Sequence, residues 1–257
     1  MNFIDFHCHL DDDAYESDRE QVIEACFSAG LKRLVTVVDP FEADSIRTTE
    51  EILAHHRQIF ATVAAHPHRA DEYGPEVERR TIGFLEHKQT IAVGEAGLDF
   101  HYNLSATDNQ KRVFKRQIAI ARNAGLPLII HSRQAEAEVL EILENEKFEH
   151  PVVFHCYTGS KEDAREAIKR GFYISFSGIV TFKNPKDLRH IAADTPIDRL
   201  FTETDSPYLS PEPFRGKVNR PDRVVLVAQK VAEIKGITVT DLNGAIENNF
   251  QTMFPKL

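Results

Sequence analysis

The sequence predicts a single α/β domain built as a (β/α)8 TIM barrel, and three observations predict it. Eight short apolar, β-branched runs recur along the chain, separated by polar stretches with apolar residues at helical spacing. The runs are nearly continuous in their apolar character, which suits a parallel sheet covered on both faces. The stretch after the first run, HLDDDAY, contains no glycine, whereas a doubly wound open sheet usually brings a Gly-rich phosphate loop there. At 257 residues the chain also has the length such a barrel requires.

Taken in order, FIDFHCH (3–9) opens the barrel and REQVIEACFSAG (19–30) follows as a helix closed by Gly30. RLVTVVD (33–39), IFATVAAH (59–66) and TIAVGEAG (90–97) supply the next three strands. Gly125 closes the helix that precedes LPLIIHS (126–132), and EAEVLEILENE (136–146) leads on to PVVFHCYT (151–158). Gly171 ends the next helix before FYISFSG (172–178), and RLFTETD (199–205) is the eighth strand. RVVLVAQKVAEIKG (223–236) is the eighth helix, with a further one through 239–254. The proline-rich SPYLSPEPFRGKVNRPDR (206–223) lies between the last strand and its helix, where an active-site loop belongs. No linker, repeat or low-complexity tract divides the chain, so residues 1–257 read as one domain.

Composition narrows the function classes. Apolar residues at 42% allow a sizeable core, and the net charge of −9 argues against a protein that coats nucleic acid through a broad basic surface. That charge leaves room for an enzyme gripping a few phosphates in a metal-lined pocket. Cys8, Cys26 and Cys156 are odd in number and lack CxxC spacing, which fits reduced thiols rather than a disulfide framework. The N-terminus has no basic segment of the secretory kind, and no apolar run approaches the roughly 18 residues that span a bilayer. A soluble, cytoplasmic monomer with no membrane partner is expected.

Ionisable residues interrupt the apolar runs at one recurring place. His7 and His9 end the first strand, and His66 ends the third with His68 two residues on. Glu95 ends the fourth strand, His131 the fifth, His155 the sixth, and Glu203 with Asp205 the eighth. A lone histidine at a strand end is more often hydrogen-bonded or exposed than a ligand, and a lone Glu95 is an ordinary turn residue. In a barrel, however, all eight strand ends meet at one mouth, the face that carries catalysis in this fold. Side chains alternate along a strand, so His7 and His9 project together while Cys8 projects away, and Glu203 pairs with Asp205 likewise. Asp5 should face inward below His7, either as the partner of a ligand imidazole or paired within the core.

Imidazole with carboxylate suits zinc, manganese, cobalt or nickel, and this set exceeds what one tetrahedral ion needs. A two-metal site is therefore expected, with one ion on His7, His9 and Asp205, a second on His131 and His155, and Glu95 bridging. Such a pair activates water and stabilises a leaving group. The residues alone read as a metal-dependent hydrolase.

The ordered motifs HCHL, AAHPH, VGEAGLDFH, IIHSR, FHCYTGS, YISFSGIVTFKN and TETDSPYL, followed by RGKVNRP, resemble the TatD family of metal-dependent deoxyribonucleases. The match runs from residue 4 to about residue 254. The resemblance implies an amidohydrolase-like barrel, two divalent ions (zinc, manganese, magnesium, cobalt or nickel) and hydrolysis of DNA phosphodiesters, often as a 3′–5′ exonuclease. It places the ligands at His7, His9, Glu95, His131, His155 and Asp205, puts His66 near the substrate phosphate, and sets Glu203 beside the activated water. Ala96 and Gln134 depart from the usual residues at non-ligand positions, which bears on pocket shape.

Asp205 is expected to accept the proton of the attacking water, with Glu203 assisting. Arg133 and Lys217 or Arg220 are candidate phosphate contacts, and Tyr157, Tyr208 and Phe100 candidate stacking partners for a terminal base. The expected partner is DNA as short or single-stranded ends. The rival expectations are a two-metal hydrolase of an amide, lactone or aminoacyl ester, and a non-catalytic metal-binding protein.

Overall fold

In the computed structural model, which describes residues 2–185, 187–255 and 257, eight parallel strands follow one another in chain order around a single sheet. They are β1 (Phe3–Cys8), β2 (Leu31–Val38), β3 (Ile59–Val63), β4 (Thr90–Asp99), β5 (Leu128–Arg133), β6 (Val152–Phe154), β7 (Tyr173–Phe176) and β8 (Leu200–Thr202). The segment beyond β8 closes the ring on β1. The Asp205 amide donates to the His7 carbonyl at 2.9 Å, and the His9 amide donates to the Ser206 carbonyl at 2.8 Å. This is the barrel that the alternation of runs predicts.

The outer layer consists of α1 (Arg19–Ser28), α2 (Ala43–His55), α3 (Pro75–Phe84), α4 (Thr107–Ala124), α5 (Glu136–Asn145), α6 (Lys161–Lys169), α7 (Leu188–Asp194) and α8 (Val224–Lys235). Local chemistry sets their ends. Gly125 takes the left-handed conformation (φ +65°) that terminates α4. The Ser160 hydroxyl accepts the Asp163 amide at the start of α6.

The last helix, α9 (Val239–Met253), covers the beginnings of the strands. Its Phe250 packs against Phe60 and Phe6, with the Arg33 guanidinium 4.9 Å from the ring centre. Phe6 stacks on Phe201 at 4.0 Å within the barrel. Glu247 clamps Arg33 at 2.6 Å and Lys32 at 3.0 Å. The floor is thereby packed and apolar, and the polar side chains gather at the opposite mouth.

Six strands end sooner than their apolar runs, three of them by three residues or more. β3 stops at Val63, β6 at Phe154 and β8 at Thr202, so His66, His155, Glu203 and Asp205 lie beyond the ladder. Cys156 and Asp205 adopt left-handed backbone (φ +41° and +54°), at a cost of roughly 1–3 kcal/mol each. These turns carry the chain out of the sheet and over the mouth. Among the described residues no helix is long and apolar enough to cross a membrane, and all three cysteines are free and buried.

Candidate metal centre

Register decides which side chains enter the mouth. Ser175 lies opposite Phe201, and residues opposite each other in register share a face. Phe201 faces the interior, so Glu203 and Asp205 follow it inward at a period of two. On β1 the register slips: Asp5 lies opposite Leu34, but Cys8 lies opposite Thr36. This bulge turns Asp5 to the outer face that Cys8 also occupies. The sequence reading, which pointed Asp5 inward beneath His7, is corrected accordingly. Asp5 is fully buried and accepts from the Thr204 amide (2.8 Å) and the Thr204 hydroxyl (2.5 Å), pinning the segment beyond β8 to β1.

On β4 two glycines let the backbones close around Glu95. A Cβ on Gly94 would stand 2.5 Å from the Ile129 Cβ, and one on Gly97 would stand 2.0 Å from the His131 carbonyl oxygen. Gly97 also has φ +145°, which L side chains seldom adopt.

Glu95 sits at the centre. Its Oε1 lies 2.6 Å from His131 Nδ1, 2.6 Å from His155 Nε2 and 3.3 Å from His66 Nε2. Its Oε2 lies 3.6 Å from His7 Nε2. Asp205 Oδ1 stands 3.4 Å from His9 Nε2 and 3.8 Å from His7 Nε2. Donor atoms of His7, His9 and Glu95 cluster within 4.8 Å of one another, and so do those of Glu95, His131 and His155. The two groups share Glu95, as a bridging carboxylate between two ions would.

The residues fit divalent cations. His7 Nε2 is a buried nitrogen without a hydrogen-bond partner, a condition costing about 1–3 kcal/mol for a group left unsatisfied. His7 Nε2 is also too far from either carboxylate for a hydrogen bond, yet it faces both. Burial alone would favour neutral Glu95, but the charge of His155 and bonds from His131 and His155 hold its pKa well below the usual range. Burial likewise opposes charge on Asp205, and its bond with His9 together with the nearby imidazoles lowers it. Both carboxylates are thus anionic and stand beside imidazoles of the kind that bind borderline metals.

The remaining candidates are placed unequally. His66 Nδ1 accepts the His68 amide at 3.2 Å, an arrangement that assigns the ring hydrogen to Nε2 and aims it into the site. Burial pushes His66 down to about 4, so it is neutral. Arg133 follows His131 by two residues and has no carboxylate partner among the described ion pairs; its guanidinium lies 6.0 Å from the exposed Tyr102 ring. Tyr208 is half exposed, edge-on to His9 at 5.7 Å, with its hydroxyl on Asp12. Tyr157 is withdrawn instead: it is 3% exposed and donates to the Ser160 carbonyl at 2.7 Å. Arg220 is shared between Asp18 and Asp222, while Lys217 is exposed.

Glu203 lies deeper than a base for water should. It is fully buried, with Oε1 accepting the Cys156 amide at 2.5 Å and Oε2 the Ser175 hydroxyl at 2.5 Å. Its Oε1 faces His155 Nδ1 at 3.4 Å. That position orients His155 from behind.

Asp99 is a site residue that the sequence reading missed. Its Oδ2 binds His68 Nε2 at 2.8 Å and His131 Nε2 at 3.0 Å, while its Oδ1 accepts the amides of His101 and Tyr102. It therefore fixes His131 from the side away from Glu95, and ties His68 to the same carboxylate. Reading the fourth strand two residues further would have revealed it, since Asp99 follows Gly97 at a period of two.

A family model described as TatD related DNase matches residues 4–255. The uncharacterized metal-dependent hydrolase YabD of Bacillus subtilis (strain 168) is 39% identical over 251 residues, covering 97% of this chain and 98% of YabD. The uncharacterized metal-dependent hydrolase YcfH of Escherichia coli (strain K12) is 37% identical over 259 residues, covering 99% and 96%. The crystal structure of YJJV, a TatD homolog from Escherichia coli K12, matches with a TM-score of 0.92 and 25% identity, covering 99% of this chain and 98% of that one.

Proposed function

This chain belongs to the family of TatD-related DNases and is a metal-dependent hydrolase; on that premise we propose that it is a deoxyribonuclease removing nucleotides from DNA ends, in the 3′–5′ exonuclease manner. The observation that carries the reading is the sharing of Glu95 between two ligand groups, with His66 Nε2 3.3 Å from the same carboxylate. His7, His9 and Asp205 would hold one divalent ion, His131 and His155 a second, and Glu95 both. When bound, such ions lower the pKa of water and stabilise charge on phosphoryl oxygens.

The chain's own groups account for the rest. Asp205, whose side chain is 15% exposed, accepts a proton from the attacking water. The water oxygen bonds to phosphorus, the bond from phosphorus to O3′ breaks, and the departing O3′ takes a proton from solvent. His66 donates its Nε2 hydrogen to a non-bridging phosphate oxygen, and Arg133 adds a charged donor for the same phosphate. Asp99 and Glu203 keep His131 and His155 in their rotamers. The net charge of −9 accords with a substrate held only at its end.

The test is an activity screen across divalent metals with single and double strands labelled at either end, run beside an amide, lactone and aminoacyl-ester panel. Stepwise shortening from the 3′ end is expected. Turnover confined to the acyl panel would transfer the same centre to acyl chemistry, and oligonucleotide binding without any turnover would leave a metal-binding protein. Asp205→Asn should lower turnover by about 10²–10⁴-fold with the fold retained, while Glu95→Gln should lose metal from both positions. Near-normal rates in Asp205→Asn with two ions bound would remove Asp205 as the proton acceptor.

A further inference from the structure

A cavity of about 790 Å³ opens beside Arg133 and extends over the ends of β5, β6 and β7. Cavities of about 300–1,000 Å³ hold small ligands, so a nucleoside fits. Its lining includes the apolar Phe100, Ile179 and Leu188, and the carboxylate of Glu136. Glu136 is 6% exposed. Its Oε2 accepts the Ala135 amide at 3.0 Å, and it has no cationic partner among the described ion pairs. Two other acids along the cavity are engaged and a third is exposed: Glu138 pairs with Lys111 at 2.6 Å, Asp163 accepts the Ser160 hydroxyl at 2.6 Å, and Asp187 faces solvent. A position at the start of α5 accounts for an acidic residue there, but not for burying it against a cavity without a cationic partner among the described ion pairs.

The carboxyl group is held firmly. Gly159 lies so close that a Cβ there would stand 2.8 Å from Glu136 Cδ and 2.7 Å from the Tyr157 hydroxyl. A fixed anionic acceptor between apolar walls repels a phosphate and receives a flat ring through its amine edge. The arginine at the entrance supplies what the phosphate needs. The cavity thus divides a nucleotide into its two chemical halves.

We propose that this cavity is a nucleobase subsite, in which Glu136 accepts from the exocyclic amine of the base adjoining the phosphate at Arg133. Bases that carry the amine are selected over thymine and uracil, which present a carbonyl at that edge and meet the carboxylate unfavourably. The inference rests on the nuclease reading for its substrate, but its test does not depend on turnover.

Binding of dCMP and dUMP to the metal-loaded protein, measured by titration calorimetry, compares two nucleotides that differ in amine against carbonyl at C4 and in the proton on the adjoining N3. The wild type should favour dCMP on the order of tenfold. Glu136→Gln, whose amide both donates and accepts, should bring the ratio near one, while Phe100→Leu should weaken both ligands and keep the ratio. Equal affinities in the wild type, no binding of either ligand, or a ratio that survives Glu136→Gln would overturn the subsite. Cleavage of oligonucleotides with a ratio of one would sink the subsite and spare the nuclease reading. A clear ratio without cleavage of any oligonucleotide would do the reverse.

Discussion

Asp99 shows how a single residue can be essential to a site and hard to see in the sequence. It occupies the fully buried end of β4 and touches no candidate ion, yet one of its oxygens holds two imidazoles. Partners of this kind fix the ring and tautomer of a metal ligand, and their loss costs about 10–100-fold in metal affinity. Asp99→Asn should therefore weaken one of the two ions by that factor. Metal titration followed by elemental analysis would measure it. Two ions bound at wild-type affinity would reduce Asp99 to a loop anchor, through its bonds to His101 and Tyr102. The candidate ligands were legible because histidine and carboxylate at strand ends are chemically conspicuous. Asp99, Asp5 and Glu203 were less so, because an aspartate or glutamate in a strand reads the same whether it faces a metal, an imidazole or a threonine.

At the scale of elements, apolar runs and helical spacing located all eight strands and the helices that were named, while the ladder ends and bulges came from cross-strand register. The slip between Asp5 and Cys8 reverses one side chain without disturbing the run that contains it. α9 was legible as a helix, but its place beneath the barrel depends on Phe250 meeting Phe6, Phe60 and Arg33. Glu247 is the polar latch of that contact. Burial acts to raise its pKa, but bonds from Arg33 and Lys32 outweigh it and set the folded value below the ordinary one. A depressed carboxylate adds stability above its unfolded pKa of about 4.3, and that stability is lost as pH falls through the folded value. Glu247→Gln should thus cost about 1–2 kcal/mol at neutral pH, with the difference from wild type vanishing in acid. Thermal melts of both proteins from pH 3 to pH 8 would read it. An offset independent of pH would assign the loss to packing.

At the scale of the whole molecule, a chain of net charge −9 is proposed to act on a polyanion. Local groups would reconcile the two, since on that proposal the positive charge needed at the phosphate is supplied by bound ions and Arg133 rather than by a basic surface. Few counterions are then released, so affinity for single strands should fall only shallowly with salt, and a slope equivalent to about eight or more phosphates would rule out end-grasping. The sequence by itself determined the barrel, because hydrophobic periodicity is a local property. It also marked the candidate metal-binding set, because those residue types at six strand ends have few other reasons to recur. Only the tertiary structure decided what stands behind two of the candidate ligands, Asp99 behind His131 and Glu203 behind His155, and set Asp5 on Thr204 instead of an imidazole. It also buried Tyr157 and left Glu136 facing a cavity. These outcomes rest on register slips of one residue and on left-handed turns beyond β6 and β8. Such features are fixed by packing between segments up to 200 residues apart in the chain, and they leave no periodic trace in it.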